Sequence, residues 1–483
     1  MISDKTFDHI TSVKPAWFLL AGIVSLSVSN LAFGIDILGW ISVVPFLLYL
    51  SLTRGFKSRL LFFVALVIAW SVAVAKIISG PIPWMMVFLY SIPISLVHLP
   101  AYILWGKISN SKWSVLVFPA LLVILEWIQY TFTPLASWGS AAFTQVNSPA
   151  VLQSVSIFGM AGLGFVIYWV NSSLARIILS RRITYLTFQM PALVVLGLVI
   201  FGSLRLQTGR SEGVQTLAVA AVGTDSEISG LPLPSLENNR KVFNDILTLT
   251  STAASAGAKV VVWNEGAFYA LPDTEQSMAD TISKTAARKN VTIVASYILV
   301  VNQEPLKYHN KYLMVDSLGK ISFSYLKHQP VPGEPAIKGT EPFRTTNVSG
   351  SQVSGSICYD YDFPYIARAN AKAGADIVAL PSSDWRGIDP LHTKMAALRA
   401  IEQGHSILRS TRFGLSAAIT PYGEMTAQMS SYDHNNKVMH ATLPVKGIKT
   451  LYGFIGDAFI YLCIGFLAWL LINVALTAGQ KPH

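Results

Sequence analysis

The sequence predicts a polytopic α-helical membrane bundle of eight spans with one α/β domain set between the seventh and the eighth. Three observations lead to this. Of 483 residues, 52% are hydrophobic and 13% are charged, against about 25% charged in an ordinary soluble domain. The deficit lies at the two ends of the chain, which hold long apolar runs. The middle has Lys, Asp, Glu and Asn at ordinary density, with short runs such as AKVVVW and VTIVASYILV that read as strands.

A helix needs about 20 apolar residues to cross the hydrocarbon core. Such runs lie near 16–33, 37–53, 59–79, 84–105, 113–133, 153–178 and 188–204, with an eighth near 454–475. The expected division is a membrane domain of seven transmembrane helices over residues 1–212, an extracytoplasmic α/β domain over 213–447, and an eighth helix with a cytoplasmic tail over 448–483. The flank of the first run, SNLAFGID, is a weak cleavage site, so that run is read as a retained span.

Orientation follows from the basic loops. Arg54, Lys57 and Arg59 follow the second run, Lys107 and Lys112 the fourth, and Arg176, Arg181 and Arg182 the sixth. The loops after the first, third and fifth runs carry no Lys or Arg. Positive residues stay in the cytoplasm, which puts both termini there and residues 213–447 outside. These loop residues also account for much of the net charge of +10, so that charge is not read as a nucleic-acid surface.

Ionisable residues within spans cost several kcal/mol at the bilayer centre. Asp36 and Lys76 lie near span ends and can snorkel. Glu126, in LLVILEWIQY, lies deeper and must face the bundle interior or a polar cavity. Trp138 and Phe143, in the long fifth loop, read as an interfacial aromatic anchor, with a lipid entrance as the alternative. The glycines of GMAGLG (159–164) sit in a span and read as helix packing rather than a phosphate loop.

The chain has two cysteines, too few for a disulfide framework. Cys463 lies in an apolar run and reads as a small buried side chain. Cys358 is the cysteine of the α/β domain, in SGSICYDYDFP. Two other stretches share its pattern of a strand handing a reactive residue to a loop. KVVVWNEGAF brings Glu265, and SYLKHQPVPGEP brings Lys327 and then Glu334. In layered α/β domains, sites are built at such strand ends.

A carboxylate, an ammonium and a thiol form a coherent set. A thiol is a weak nucleophile until deprotonated, and Glu265 is placed to take its proton as general base. Lys327 suits stabilisation of a thiolate and of an oxyanion, together with a backbone N–H near Tyr359. Glu334 suits holding Lys327 or assisting proton transfer. By residue type alone, Cys358 is also readable as an inert packed residue, and the three charges as solvated surface groups. His309, His328, His392 and His405 show no spacing that picks out a base. One cysteine without an H-x₃-H or C-x-x-C pair argues against a metal site. Glu402 is readable either as a buried partner of this set or as an exposed helix charge.

The order Glu, Lys, Cys on successive strand ends resembles the nitrilase (carbon–nitrogen hydrolase) superfamily. KYHNKYLMVDSLGKISFSYLKHQPVPGE resembles its strand–turn–strand leading to the lysine. ADIVALPSSDWRG resembles the strand and loop after the cysteine, and HTKMAALRAIEQGHSILRSTRFGLSAAITPYGE the closing helix and strands. Seven spans before such a domain and one after it are similar to the superfamily's membrane branch, the apolipoprotein N-acyltransferases. The chain departs from the family pattern in three places. Asn264 stands where a proline is usual before the glutamate, Lys327 and Glu334 are closer by about one residue, and Asp360 replaces the glutamate of Cys-Tyr-Glu.

The resemblance implies a four-layer α-β-β-α sandwich on the outer face of a bacterial cytoplasmic (inner) membrane. It implies Glu265, Lys327 and Cys358 as the catalytic triad, supported by Glu334, Tyr359 and Asp360, with no cofactor and no metal. It implies a ping-pong transfer through a cysteine thioester, from a phospholipid donor to the α-amine of a diacylated lipoprotein, by a monomer that binds no nucleic acid. Two other readings stay open at this point: a membrane-tethered amidase of the same triad, and a degenerate lipid- or lipoprotein-binding scaffold.

Overall fold

A computed structural model describes residues 14–77, 83–209, 213–224, 232–433 and 437–479. The chain divides into two compact units, Met1–Gln207 with Phe454–His483, and Thr208–Gly453.

Among the described residues, six helices are long and apolar enough to cross a membrane: Phe56–Ile77, Met86–Ile108, Ser114–Phe132, Val155–Ser180, Tyr185–Gly209 and Ala458–Leu476. The first two of the eight expected spans are shorter, Pro15–Ser29 and the segment Asp36–Leu52. The second is broken into Asp36–Gly39 and Val44–Leu52, and the later piece starts with Pro45 in its first turn, where a missing N–H costs nothing.

Several polar residues of the first unit are bound inside it. Glu126 is 3% exposed and accepts from Tyr168 Oη at 2.6 Å, Ser140 Oγ at 2.8 Å and the Ala141 N–H at 3.3 Å. Gln129 donates to the carbonyls of Ala136 and Trp138. These bonds fold the fifth loop into the helices, so Trp138 and Phe143 are buried rather than the interfacial anchor expected of them. Lys76 donates to the Asn30 carbonyl. Asp36 accepts from the Asn147 N–H and from Ser148 Oγ, so both groups near span ends bind protein. Gly159 has φ +65 and kinks the Val155–Ser180 helix. A Cβ at Gly164 would lie 3.5 Å from Val123, the close approach expected of packing glycines.

The second unit has two sheets. The first holds β1 (Thr216–Val222), β2 (Val260–Trp263), β3 (Tyr269–Ala270), β4 (Thr292–Gln303), β5 (Leu306–Val315), β6 (Ile321–Leu326) and a strand from the end of the unit, Val438–Pro444. The second holds β7 (Thr346–Val348), β8 (Ser351–Gly355), β9 (Ile377–Ser383), β10 (Ser406–Arg412), β11 (Leu415–Ile419) and β12 (Met425–Ser430), with Val438–Pro444 being β13. The orders are β13-β1-β2-β4-β5-β6, with β3 beside β4, and β12-β11-β10-β9-β8-β7.

Alternation along the strands explains the layers. Val260 and Val262 of β2 join Val353, Ile377 and Leu408 in the core between the sheets. Val261 and Trp263 face the other way, into a core with Phe243 and Ile246 of helix Leu236–Ser255 and Ile282 of helix Glu275–Lys289. Helices Pro364–Lys372 and Leu391–Gln403 cover the second sheet. The unit is the four-layer α-β-β-α sandwich. Burial on both faces is why these strands read as near-continuous apolar runs.

Candidate active site

Glu265 leaves the end of β2. Asn264, just before it, donates its backbone N–H to the Val222 carbonyl at 3.2 Å and accepts the Thr224 N–H at 2.8 Å on its side chain. A proline there has no N–H for the first of these bonds. The Glu265 N–H reaches across to the Ser382 carbonyl of the second sheet at 3.3 Å.

Lys327 follows β6 and is 2% exposed. Its ammonium lies 2.8 Å from Glu265 Oε1 and 2.8 Å from Glu334 Oε2. Glu334 is not solvated. It also accepts the Val331 N–H across its own tight loop at 2.9 Å. Burial opposes the charge on Lys327, but Glu265 and Glu334 overcome it and hold its pKa well above the usual lysine value. Burial likewise pushes Glu334 up, and Lys327 with two further donors outweighs it, so that carboxyl is held down.

Asn310 also belongs to the site, although no motif in the sequence marks it. Its Nδ2 donates to Glu265 Oε1 at 2.7 Å and to Glu334 Oε1 at 2.9 Å. The signal was available in period two. Asn310 shares the inward face of β5 with Tyr308 and Tyr312.

Cys358 does not end its strand, as the sequence suggested. β8 stops at Gly355 and Cys358 opens a tight turn to Asp362. The reason is Asp360. Its carboxylate captures the Ile357 N–H at 3.0 Å, the Tyr325 hydroxyl at 2.8 Å and the Gln329 N–H at 2.7 Å. It thereby pins the cysteine turn to the loop that follows Lys327. Cys358 sits at φ +47, a left-handed conformation that costs an L-residue about 1–2 kcal/mol and that marks functional turns. Its thiol is buried and lies 3.5 Å from the Ser383 carbonyl. Burial and then the charge of Glu265 push the thiol pKa well up, against Lys327 and Arg409. Burial pushes the Asp360 carboxyl up to about 7, against its donors. The Tyr359 ring packs edge-on against Phe363 at 5.4 Å.

The structure therefore brings Glu265, Lys327 and Glu334 into direct contact through the Lys327 ammonium, and the charges of Glu265 and Lys327 act on the Cys358 thiol. The family model "Carbon-nitrogen hydrolase" matches residues 218–451, and "Apolipoprotein N-acyltransferase N-terminal domain" matches residues 20–173. Between them they span most of the chain. The chain belongs to the apolipoprotein N-acyltransferase branch of the carbon–nitrogen hydrolases.

Curated relatives in this family include the apolipoprotein N-acyltransferase of Geobacter metallireducens, 24% identical over 95% of this chain and 94% of that protein. That of Borreliella burgdorferi is 24% identical over 68% of this chain and 69% of its own length. An amidase from Nesterenkonia sp. is a similar solved structure, at TM-score 0.40 and 18% identity, covering 49% of this chain and 93% of its own.

This member of the family has a second charged group beside Cys358 that the sequence did not reveal. Asp362, Asp384, His392 and Arg409 are all buried. Arg409 forks onto Asp384 with both contacts at 2.9 Å. The donor atoms of Cys358, Asp384 and His392 lie within 4.8 Å of one another, but the Arg409 guanidinium against Asp384 opposes a cation there. Glu402 is buried as well, yet it pairs with Arg399 on its own helix rather than with the triad. His405 meets the Tyr361 hydroxyl at 3.0 Å, and His328 stacks on Tyr325.

Proposed function

We propose that this protein is an N-acyltransferase that moves an acyl chain from a phospholipid to the α-amine of the N-terminal diacylglyceryl-cysteine of a lipoprotein. The observation that carries the reading is the buried Glu265–Lys327–Glu334 cluster facing Cys358, in a chain whose relatives are apolipoprotein N-acyltransferases.

In the first half-reaction Glu265 takes the proton from the Cys358 thiol, and the thiolate attacks the ester carbonyl carbon. Two of the ammonium N–H groups of Lys327 donate hydrogen bonds to Glu265 and Glu334. The third is assigned to the developing oxyanion, with the backbone N–H near Tyr359. As the C–O bond breaks, the proton on Glu265 passes to the departing oxygen, giving a lysophospholipid and a Cys358 thioester. In the second half-reaction the lipoprotein amine attacks the thioester carbonyl, loses a proton to Glu265, and expels the thiolate. The product is an amide, and Glu265 passes its proton to the thiolate, which restores the starting state.

The helices tether this chemistry to the bilayer that holds both lipids, which raises their effective concentration. We place the α/β unit on the extracytoplasmic side of the cytoplasmic membrane, from the basic residues of the even-numbered loops. Water as the second nucleophile would make the same triad a hydrolase. The long apolar helices favour lipid substrates over small amides.

The test is acyl transfer in detergent to a synthetic diacylglyceryl-cysteine peptide, followed by mass spectrometry. One added acyl chain on the peptide amine, absent with Cys358→Ala, is expected. Release of free fatty acid with an unmodified peptide would point to the hydrolase.

A further inference from the structure

The group on the second-sheet side of Cys358 links four elements. Asp362 ends the cysteine's turn, Asp384 lies just after β9, His392 stands on helix Leu391–Gln403, and Arg409 is on β10. His392 is clasped from both sides. Its Nδ1 lies 2.7 Å from Asp384 Oδ1 and its Nε2 lies 2.9 Å from Asp362 Oδ1. A ring nitrogen and a carboxylate oxygen at such a distance hold a proton between them, because two lone pairs repel. Both contacts meet that condition, and with Asp384 held ionised by Arg409 we read the ring as an imidazolium. Arg409 Nη2 donates to the same oxygen of Asp384 and also lies 3.0 Å from Nδ1, where the donor and acceptor roles depend on the tautomer of the ring.

We propose that His392 is a positioning residue for the nucleophile: as a fixed imidazolium it balances Asp362 and Asp384 beside Cys358 and ties the cysteine's turn to the loop after β9. This rests on the reading of Cys358 as the nucleophile. Removing the imidazolium leaves two buried carboxylates against Arg409 alone, and the added negative field opposes thiolate formation. Removing the Asp362 charge does the opposite. Burial disfavours the charge on His392, but Asp362 and Asp384 outweigh it and raise its pKa to about 9, in keeping with the geometry. The other charges facing this cluster or the sulfur are Glu265 and Lys327 from the first sheet, Asp360 in the turn, and Asp389 and Arg386 in the loop before the helix.

The test is the pH dependence of Cys358 alkylation by iodoacetamide in full-length protein in detergent, read on the Cys358 peptide by mass spectrometry. His392→Asn is expected to move the alkylation midpoint up by about one pH unit. Asp362→Asn, which keeps an acceptor for Nε2–H, is expected to move it down. The double variant is expected to return most of the way to the parent. Should His392→Asn not fold, Asp362→Asn and the double variant decide the matter by the sign of their shifts. Midpoints unmoved in folded variants, or moved in the same direction by both single changes, overturn the proposal. The assay contains no lipid. A protein that alkylates as expected but forms no acyl-enzyme would count against the acyltransferase reading and not against His392.

Discussion

The two charged groups that flank Cys358 are both buried, and they differ in balance. On the first-sheet side two carboxylates, Glu265 and Glu334, share the single ammonium of Lys327. On the second-sheet side two carboxylates, Asp362 and Asp384, meet two cationic groups, His392 and Arg409. A group with an excess carboxylate can take a proton and become balanced. A group already balanced loses by any proton transfer, because it then holds an uncompensated buried charge. The difference assigns proton traffic to the first side and fixed support to the second.

Variants on either side of Cys358 put that contrast to the test. Lys327→Met leaves two carboxylates together without a cation. It is expected to destabilise the protein by about 3–5 kcal/mol and to lower kcat by about 10³-fold, read by thermal unfolding and by the peptide acylation assay. Asp360→Ala removes the acceptor for two backbone N–H groups and a hydroxyl, each costing about 1–3 kcal/mol when left unpaired. The cysteine's turn then loosens from the Lys327 loop, and kcat is expected to fall by about 10²-fold, with a smaller change in KM.

The third concerns pH. The pKa of His392 is raised from 6.5 to about 9 in the folded protein, so its stabilisation is fully present below pH 6.5 and is lost as pH rises through about 9. Tm is expected to fall across that window, and the fall should shrink in His392→Asn. The smallest effect on rate is expected from Glu402→Gln, whose partner is Arg399. Tm should drop while kcat of the folded protein stays within about two-fold, since independent sites behave additively.

The residues readable in the sequence were those whose role is announced locally. Glu265, Lys327 and Cys358 each follow an apolar strand and precede a turn, and the family pattern runs through the same stretches. The long apolar runs announced the helices in the same way. What stayed hidden depends on which faces meet. Asn310 matters because β5 presents it to two carboxylates that come from β2 and from a loop. His392 matters because two carboxylates distant in sequence close on its ring. Trp138 looked like an interfacial anchor because nothing in its own loop shows that Gln129 and Glu126 draw that loop inward. Asp360 looked like a shortened glutamate, yet the turn beginning at Cys358 brings its carboxylate to three donors.

Cys358 is the residue proposed to carry the acyl chain between two lipids. Intact mass spectrometry of the full-length protein after incubation with a defined phospholipid tests it most directly, with and without hydroxylamine and beside Cys358→Ala. One acyl mass that requires Cys358 and disappears with hydroxylamine is the predicted result. A folded, lipid-bound protein that shows no such adduct, or one that survives in Cys358→Ala, would contradict the account.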